Sequence, residues 1–403
     1  MKHVFSRIQG AAAWLTILIP PLMLTGPAPA DIAVWLVDLF FLLHAAHRRD
    51  WQWLRWRWVQ LLAIFWIYIA TRDALLADPH RFLLTLSWLH LPLFGIALAR
   101  WVLPDPRVRR RLWLSLAASV AFLVIDSFWQ YVFRVDLAGH EVGQFTNRYG
   151  SAFRLTGPFR NARVGITLTW LIYPVLAQLL AQRGFARQLL AGACTLACIA
   201  AIYLSGERNA LMLLASPHGR RAIPALALGF ALLGGIAFLH HPAMLDRQFG
   251  SSYDQGLHFF DSPYGKGWRS AWDIALAHPF IGVGAHQYHT ECLKPEYGPT
   301  DADSLFQRCL VHPHNHYLNT ASAYGFIGLA LHLAWLAGWI LCLRRGWPHR
   351  LADDAGMGLC IAALLWLWPI SVAPGQFVPW VAIPFWLVAG WLTSLTGGEK
   401  TTA

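Results

Sequence analysis

The segment VHPHNHYLNTASAYGFIGL, residues 311–329, places three histidines within five positions and then continues into an apolar helix. His312, His314 and His316 therefore stand where a polar stretch meets a run that can enter a membrane. Histidines at such a boundary can bind a metal, accept a proton or cap the start of a helix. The surrounding chain decides among these three uses.

The composition is that of a membrane protein. Of the 403 residues, 56% are hydrophobic, only 13% are charged and 22 are tryptophan. A membrane-spanning helix needs roughly 20 apolar residues. Candidate runs cover about twelve segments, namely 9–25, 32–46, 58–72, 81–100, 111–130, 162–182, 187–205, 206–217, 221–240, 315–343, 356–373 and 376–396. We therefore predict an all-α polytopic membrane protein with about 12 transmembrane helices.

Basic residues set the predicted orientation. With the N-terminus inside, the arginine-rich loops fall on one face, including HRRDWQWLRWR, PDPRVRRR, QRGFARQ, HGRR and LRRGWPHR. The positive-inside rule makes that face cytoplasmic. The chain then divides into transmembrane helices 1–9 (residues 1–240), an outer segment with an amphipathic helix (241–314), and helices 10–12 with a short cytoplasmic tail (315–403). Residues 131–161 also lie outside.

The N-terminal segment and the net charge add two further observations. MKHVFSR, an apolar run and APA at 28–30 together fit a cleaved signal peptide, and cleavage would leave the orientation of the later helices unchanged. The net charge of +11 is assigned to anchoring on anionic lipid. No nucleic-acid partner is therefore predicted.

A second group of basic residues lies on the outer face, where orientation does not require them. Its members are Arg148, Arg154, Arg160, Arg163, Arg208, Arg247, Lys266, Arg269, Lys294 and Arg308. A guanidinium group stays charged and binds phosphate oxygens through paired hydrogen bonds. The group predicts an anionic ligand such as a lipid-linked phosphate or diphosphate.

Four positions in this group carry the most information. Arg208 follows Glu207 at the start of an apolar run, where an ion pair, a snorkelling side chain or a functional charge all fit. Arg160 and Arg163 precede a helix, and helix borders often hold basic residues. Arg269 lies on an amphipathic segment that can rest along the outer leaflet.

A general base is the favoured interpretation of the histidines, above all of His314. A metal site is disfavoured because Pro313 interrupts helical geometry between His312 and His316, and no cysteine pair or HExxH pattern accompanies them. Helix capping stays open for all three. A neutral imidazole can accept a proton near neutral pH, and nearby arginines would oppose its protonation.

Two cysteines, Cys292 and Cys309, fall in the outer segment. A disulfide between them can persist if that compartment is oxidising. Sequence alone leaves this pairing open, because two cysteines in one loop allow a bond without requiring it.

The histidine stretch resembles the motif of the O-antigen ligase family. His314 and Asn315 are followed by nine residues, Gly325, two residues, then Gly328 and Leu329. The family motif is a histidine, a small amide or hydroxyl residue, nine residues and Gly-x-x-Gly. About twelve helices and a long outer segment between two late helices add to the likeness. One departure is Glu207–Arg208–Asn209, where the family commonly has Ser-Arg and a small residue.

The resemblance implies a GT-C-type glycosyltransferase in the bacterial inner membrane with its active site facing the periplasm. Its donor would be undecaprenyl-diphosphate-linked O-antigen and its acceptor the lipid A–core oligosaccharide, with inversion and with no metal or cofactor. By position, His314 is the expected catalytic base, and Arg208 and Arg269 are the expected diphosphate-binding residues. The further residues expected to bind substrate are Arg160, Arg163, Arg247, His312, Asn315 and His316.

Three alternatives stay open at this point. An O-antigen polymerase uses the same donor with a second lipid-linked glycan as acceptor, and a protein O-oligosaccharyltransferase is a further relative. A transporter of lipid or glycan belongs to a different class. It would show repeated halves and charges spread through its helices, whereas here the charges cluster at one face.

Overall fold

A computed structural model of the protein describes residues 2–75, 79–147, 149–161, 163–181, 184–206, 242–345, 355–369 and 379–396. Within these ranges the chain is mostly helical, and eight helices are long and apolar enough to cross a membrane by length and composition. The predicted class, a polytopic membrane protein built of helices, is confirmed.

The amino-terminal half supplies most of the long helices. They are α1 (Lys2–Thr25), α2 (Pro27–Arg48), α3 (Arg57–Leu75), α4 (Pro79–Ser87), α5 (His90–Ala97), α6 (Pro106–Phe133), α7 (Val164–Ala181) and α8 (Phe185–Ser205). A π-helical turn continues α5, so that α4, α5 and this turn form one candidate span. Neighbouring helices pack together, with α1 against α2 and α6, and α7 against α8.

The carboxyl-terminal half contains shorter helices and one long one. They are α9 (Pro242–Leu245), α10 (Ser251–Leu257), α11 (Pro263–Ala277), α12 (Tyr288–Glu291), α13 (Ala302–Arg308), α14 (His316–Arg345), α15 (Gly356–Trp366) and α16 (Pro379–Ser394). The sequence explains where several helices begin, because the side chains of Asp105, Ser262 and Asp301 accept backbone N–H groups at the starts of α6, α11 and α13.

The predicted count of twelve spans is matched only in part. The first seven predicted runs, from 9–25 to 187–205, and the run 315–343 correspond to the eight candidate spans. The runs 206–217 and 221–240 lie outside the described residues. The runs 356–373 and 376–396 contain apolar helices that are shorter than a full span.

A small β-hairpin departs from the all-α prediction. Strands β1 (Gly143–Asn147) and β2 (Gly150–Arg154) pair in antiparallel register between α6 and α7. The residue after β2, Leu155, donates its backbone N–H to the carbonyl of Leu204 near the end of α8. The hairpin therefore ties the outer loop 131–161 to α8.

Helix α14 contains a sharp turn at Gly325, whose φ of 67° and ψ of −174° are not helical. The rings of His316 and His332 lie 5.9 Å apart although the residues are sixteen positions apart. A continuous helix would separate those positions by about 24 Å. The chain therefore folds back at Gly325. This differs from the single helix predicted over 315–343.

The chain between α11 and α12 crosses α14 at this turn, backbone against backbone. Val283 and Gly284 donate N–H groups to Ser322 and Ala323 over 3.0 and 2.7 Å, and Phe326 donates to Pro279 over 2.7 Å. These bonds satisfy the backbone groups that the interrupted helix would leave open, as an apolar surrounding requires.

Glycine is needed at both sides of the crossing. A Cβ on Gly325 would lie 2.4 Å from the carbonyl of Phe280, and a Cβ on Gly282 would lie 2.3 Å from the carbonyl carbon of Ala323. The second glycine of the Gly-x-x-Gly motif, Gly328, faces Tyr68 of α3 instead. At Gly325 the packed neighbour is a connecting segment, not a helix.

Side chains at the end of α3 hold the crossing in place. The hydroxyl of Tyr68 lies 2.9 Å from the carbonyl of Phe280 and 2.8 Å from that of Tyr324. Arg72 donates to the carbonyls of Ile281 and Gly282. The buried carboxylate of Asp73 accepts hydrogen bonds from Thr85, Ala285 and Tyr324. These side chains thus join α3 to α4, to the segment 279–285 and to the first part of α14.

We predict that Gly325→Ala lowers stability by at least about 2 kcal/mol, because the substitution adds a left-handed backbone strain and a backbone clash. The measurement is the thermal unfolding midpoint of the purified protein in detergent. Gly192→Ala is the matched control, since Gly192 lies within α8 with nothing within 4 Å of the added Cβ. Equal midpoints for the two variants would contradict the crossing.

Candidate functional site

The histidine loop, residues 309–315, runs from Cys309 into the start of α14. Its shape depends on a local hydrogen bond in which the backbone N–H of His314 donates to Nδ1 of His312 over 3.1 Å. His314 adopts a left-handed backbone conformation with φ of 52°. The two rings meet edge to face with centroids 4.2 Å apart. His312 therefore holds His314 in an unusual backbone conformation.

His314 is half-buried against α11. Its ring meets the ring of Tyr264 edge to face at 5.4 Å. Burial lowers the pKa of His314 below its usual value of 6.5, so the ring is neutral at neutral pH. Nearby arginines were expected to keep this ring neutral. The physical cause in the structure is removal of the ring from water.

A third imidazole contributes to the electrostatics of the loop. Burial lowers the pKa of His312 to about 4, with smaller contributions from the charges of His314 and His286. His286 is exposed, has a left-handed φ of 56° and lies against Trp88. It was not predicted as a site residue, because no motif or spacing connects it to the histidine loop.

The two residues after His314 point into the fold. Asn315 caps α14, since its side-chain oxygen accepts the N–H groups of Tyr317 and Leu318 and its amide donates to the carbonyl of Pro369 over 2.6 Å. His316 is 2% exposed and stacks on Tyr317. Substrate binding by these two side chains stays a prediction, one that their burial does not favour.

A disulfide closes the outer segment around the histidine loop. Cys292 and Cys309 are bonded, which answers the question that the sequence left open. Beside them, the hydroxyl of Tyr288 lies 3.0 Å from the carbonyl of Gly267 and 2.7 Å from that of Arg308. These contacts join α11, α12 and the histidine loop into one small core.

The predicted arginines on this face differ in their surroundings. Arg269 is exposed on α11, five residues after Tyr264, and its guanidinium lies 5.9 Å from the ring of Phe260. Arg160 is exposed, whereas Arg163 is half-buried and lies over the ring of Trp380. The other candidates of the sequence analysis at 148 and 208 lie outside the described residues.

Arg247 and Arg154 meet at the end of α8. Nε of Arg154 donates to the carbonyl of Ser205 over 2.6 Å, and Nε of Arg247 donates to that of Gly206 over 3.1 Å. Gln248 donates to the carbonyl of Tyr203 over 2.7 Å. Together with the bond from the hairpin, each of the last four carbonyls of this region receives a donor from elsewhere. These arginines hold the chain directly before the expected diphosphate-binding position 208.

Arg308 has a structural role. It is 4% exposed, and one of its Nη groups lies within hydrogen-bond distance of the carbonyls of Gly298 and Pro299. Arg308 was predicted to belong to the group of outer basic residues, since neither composition nor position in the chain shows that its side chain is buried.

Three helix ends contact segments that carry candidate site residues. The end of α3 contacts the outer segment, and the end of α8 contacts the hairpin and the π-helical turn Asp246–Gly250. The end of α15 accepts hydrogen bonds from the start of α14. The orientation deduced from the arginines stays a prediction.

Together these features define a polytopic membrane protein with a neutral histidine and several arginines on one face. Residues 184–333 match the family model described as O-antigen ligase. The match spans α8, the outer segment and the turn at Gly325. Over these residues the chain is similar to the O-antigen ligase family, a family of glycan-transferring ligases and polymerases, and this similarity confirms the resemblance found in the sequence. No curated protein matches the chain significantly.

We predict that His312 weakens the folded state as the pH falls from about 6.5 to about 4. In that window the unfolded chain binds a proton that buried His312 does not. His312→Asn keeps a hydrogen-bond acceptor near the position of Nδ1 and removes the titration. The unfolding midpoint of the variant should therefore exceed that of the wild type by an amount that grows toward pH 4.

The companion variant His312→Ala removes both the acceptor and the titration. It should unfold earlier than His312→Asn at every pH, since the backbone of His314 loses its partner. A difference between wild type and His312→Asn that does not change with pH would contradict the prediction.

Proposed function

We propose that the protein is an O-antigen ligase that transfers glycan from undecaprenyl diphosphate to the lipid A–core oligosaccharide, with His314 as general base. The observation that carries the proposal is a neutral, half-buried imidazole at the motif position, packed against Tyr264 of α11, the helix that bears exposed Arg269. The family match supports transfer of a glycan. The acceptor, the carrier lipid and the GT-C architecture belong to the proposal.

The proposed site faces the periplasm from the inner membrane. Two observations support this orientation. Arginine-rich loops lie on the opposite face, which the positive-inside rule assigns to the cytoplasm. The disulfide between Cys292 and Cys309 lies in the same segment as His314, and disulfides persist in oxidising compartments such as the periplasm.

The reaction is a single displacement. The acceptor hydroxyl attacks the anomeric carbon of the donor sugar while His314 takes the hydroxyl proton. A new carbon–oxygen bond forms as the bond to the diphosphate breaks, and its electron pair leaves with the diphosphate. Attack opposite the leaving group inverts the anomeric configuration. A sugar hydroxyl is too weak an acid to ionise unaided, so a base at this point is needed.

Arginines stabilise the charge that develops on the leaving diphosphate. Arg269 and Arg208 are the proposed primary contacts, and Arg160, Arg163 and Arg247 are proposed as further contacts. Guanidinium groups can form charge-assisted hydrogen bonds with the phosphate oxygens in place of a divalent cation. The proposed reaction is therefore independent of metal.

We predict that His314→Ala lowers turnover by about 100-fold or more, the usual range for loss of a general base. The assay is transfer from purified lipid-linked glycan to lipid A–core oligosaccharide with chelator present. His258→Ala is the control, because His258 is an exposed histidine of the same outer segment. Near-normal turnover of His314→Ala, or abolition of wild-type transfer by chelator, would show that the mechanism is wrong.

The same variant separates ligase from polymerase in cells. A ligase defect removes ladder-bearing lipopolysaccharide while lipid-linked polymer accumulates. A polymerase defect shortens the glycan chains and still permits their attachment. The second outcome would replace the proposed acceptor with a lipid-linked glycan.

Arg269→Ala should raise the KM for the donor by about 10-fold or more, since a charge-assisted hydrogen bond contributes about 1.5–3 kcal/mol. Arg269→Lys should keep part of the effect, because it retains charge and loses the paired geometry. Arg110→Ala is the control from the exposed start of α6 on the opposite face. Equal KM values for the variants at 269 and 110 would remove Arg269 from the donor site.

A further inference from the structure

Two buried histidines face each other across the turn in α14. His316 lies before Gly325 and is 2% exposed, while His332 lies after it and is 1% exposed. Within the part of the chain that the structure describes, none of their four ring nitrogens has a hydrogen-bond partner. Leaving buried polar atoms unpaired costs about 1–3 kcal/mol for each group. The pair is therefore expected to bind a small polar molecule.

The surroundings of the pair are aromatic. His332 meets the rings of Phe65 and Trp335 edge to face, and the ring of Tyr317 lies against both histidines. The hydroxyl of Tyr317 donates to the carbonyl of Leu367. The unpaired nitrogens are thus enclosed by side chains that supply few polar atoms.

The spacing of the two rings fits one bridging molecule. Their centroids lie 5.9 Å apart. Because a ring nitrogen lies about 1.2 Å from its centroid, the shortest possible distance between nitrogens is about 3.5 Å, beyond a direct hydrogen bond. A water that bonds to both rings over about 2.9 Å requires nitrogens roughly 4.5–5 Å apart. The observed separation permits that geometry.

We propose that His316 and His332 bind one water molecule that bridges the two halves of α14. A neutral imidazole has one donor and one acceptor nitrogen, so the water can accept from one ring and donate to the other. Buried waters typically make two to four such bonds, about three on average. The bridge joins residues on both sides of Gly325 and fixes the angle at which the chain folds back.

The bridge also positions the histidine loop. His316 is two residues after His314, so a change in the fold-back angle moves the proposed base relative to Tyr264 and α11. In this respect His332 and His316 are positioning residues, and this part of the inference rests on the proposed function of His314. The water site itself does not depend on it.

A double-mutant cycle in unfolding midpoints tests the water site without any transfer assay. His316→Leu and His332→Leu each leave one imidazole unpaired, whereas the double variant removes both polar groups. The loss in the double variant should be clearly smaller than the sum of the two single losses. Additive losses would overturn the bridge.

Two further arms keep the inference testable if a leucine variant folds poorly. His332→Leu combined with Thr16→Val, which replaces a buried threonine in α1, is the control pair and should be additive. A high-resolution experimental map of the wild type should contain density for a single water between the two rings. Rings in direct contact, or a gap without density, would overturn the bridge.

Transfer kinetics test the positioning role. His332→Gln can still hydrogen-bond a water and should keep most of the turnover, whereas His332→Leu should lower kcat several-fold with little change in the donor KM. Unchanged kcat in His332→Leu alongside a coupled cycle would overturn the positioning role while leaving the water site intact. Failure of His314→Ala to affect transfer is a separate result that concerns only the proposed function.

Discussion

The crossing of two chain segments at Gly325 is the constraint on which the rest of the structure depends. A helix that continued through this position would carry His316 about 24 Å away from His332. Instead the backbone of residues 279–285 fills the turn and bonds to both sides of it. Tyr68, Arg72 and Asp73 at the end of α3 then join the crossing to the membrane helices. The outer segment is thereby fixed to the helical bundle.

The residues of the histidine motif have different roles in the structure. His314 is half-buried and meets Tyr264 on α11, the helix that carries exposed Arg269. His312 holds the backbone of His314, and Asn315 caps the helix that follows. The disulfide closes the same loop from its other end. A neutral base on a loop held at both ends is well suited to proton transfer, which requires a fixed distance to the acceptor hydroxyl.

Hydropathy predicted the class of protein, and a short spacing pattern predicted the family resemblance. The membrane face that carries the site and the roles of the motif residues stay predictions. The turn at Gly325 was not predicted, because the mean hydropathy of an apolar run is the same whether or not the run contains a sharp turn. The structural role of Arg308 and the partners of Arg154 and Arg247 also depend on contacts between distant segments. The hairpin is too short to leave a clear alternation in the sequence.

The most direct test of the account is the side of the membrane from which the histidine loop can be reached. Val311 lies in this loop and is 77% exposed. Arg110 is exposed at the start of α6, which the predicted orientation places on the cytoplasmic side. Each would be replaced by cysteine in a chain whose four free cysteines are serine, and intact inner membranes treated with an impermeant thiol reagent from the periplasmic side. The account predicts labelling at 311 and, before the membrane is opened, none at 110. Labelling at 110 with protection at 311 would contradict it.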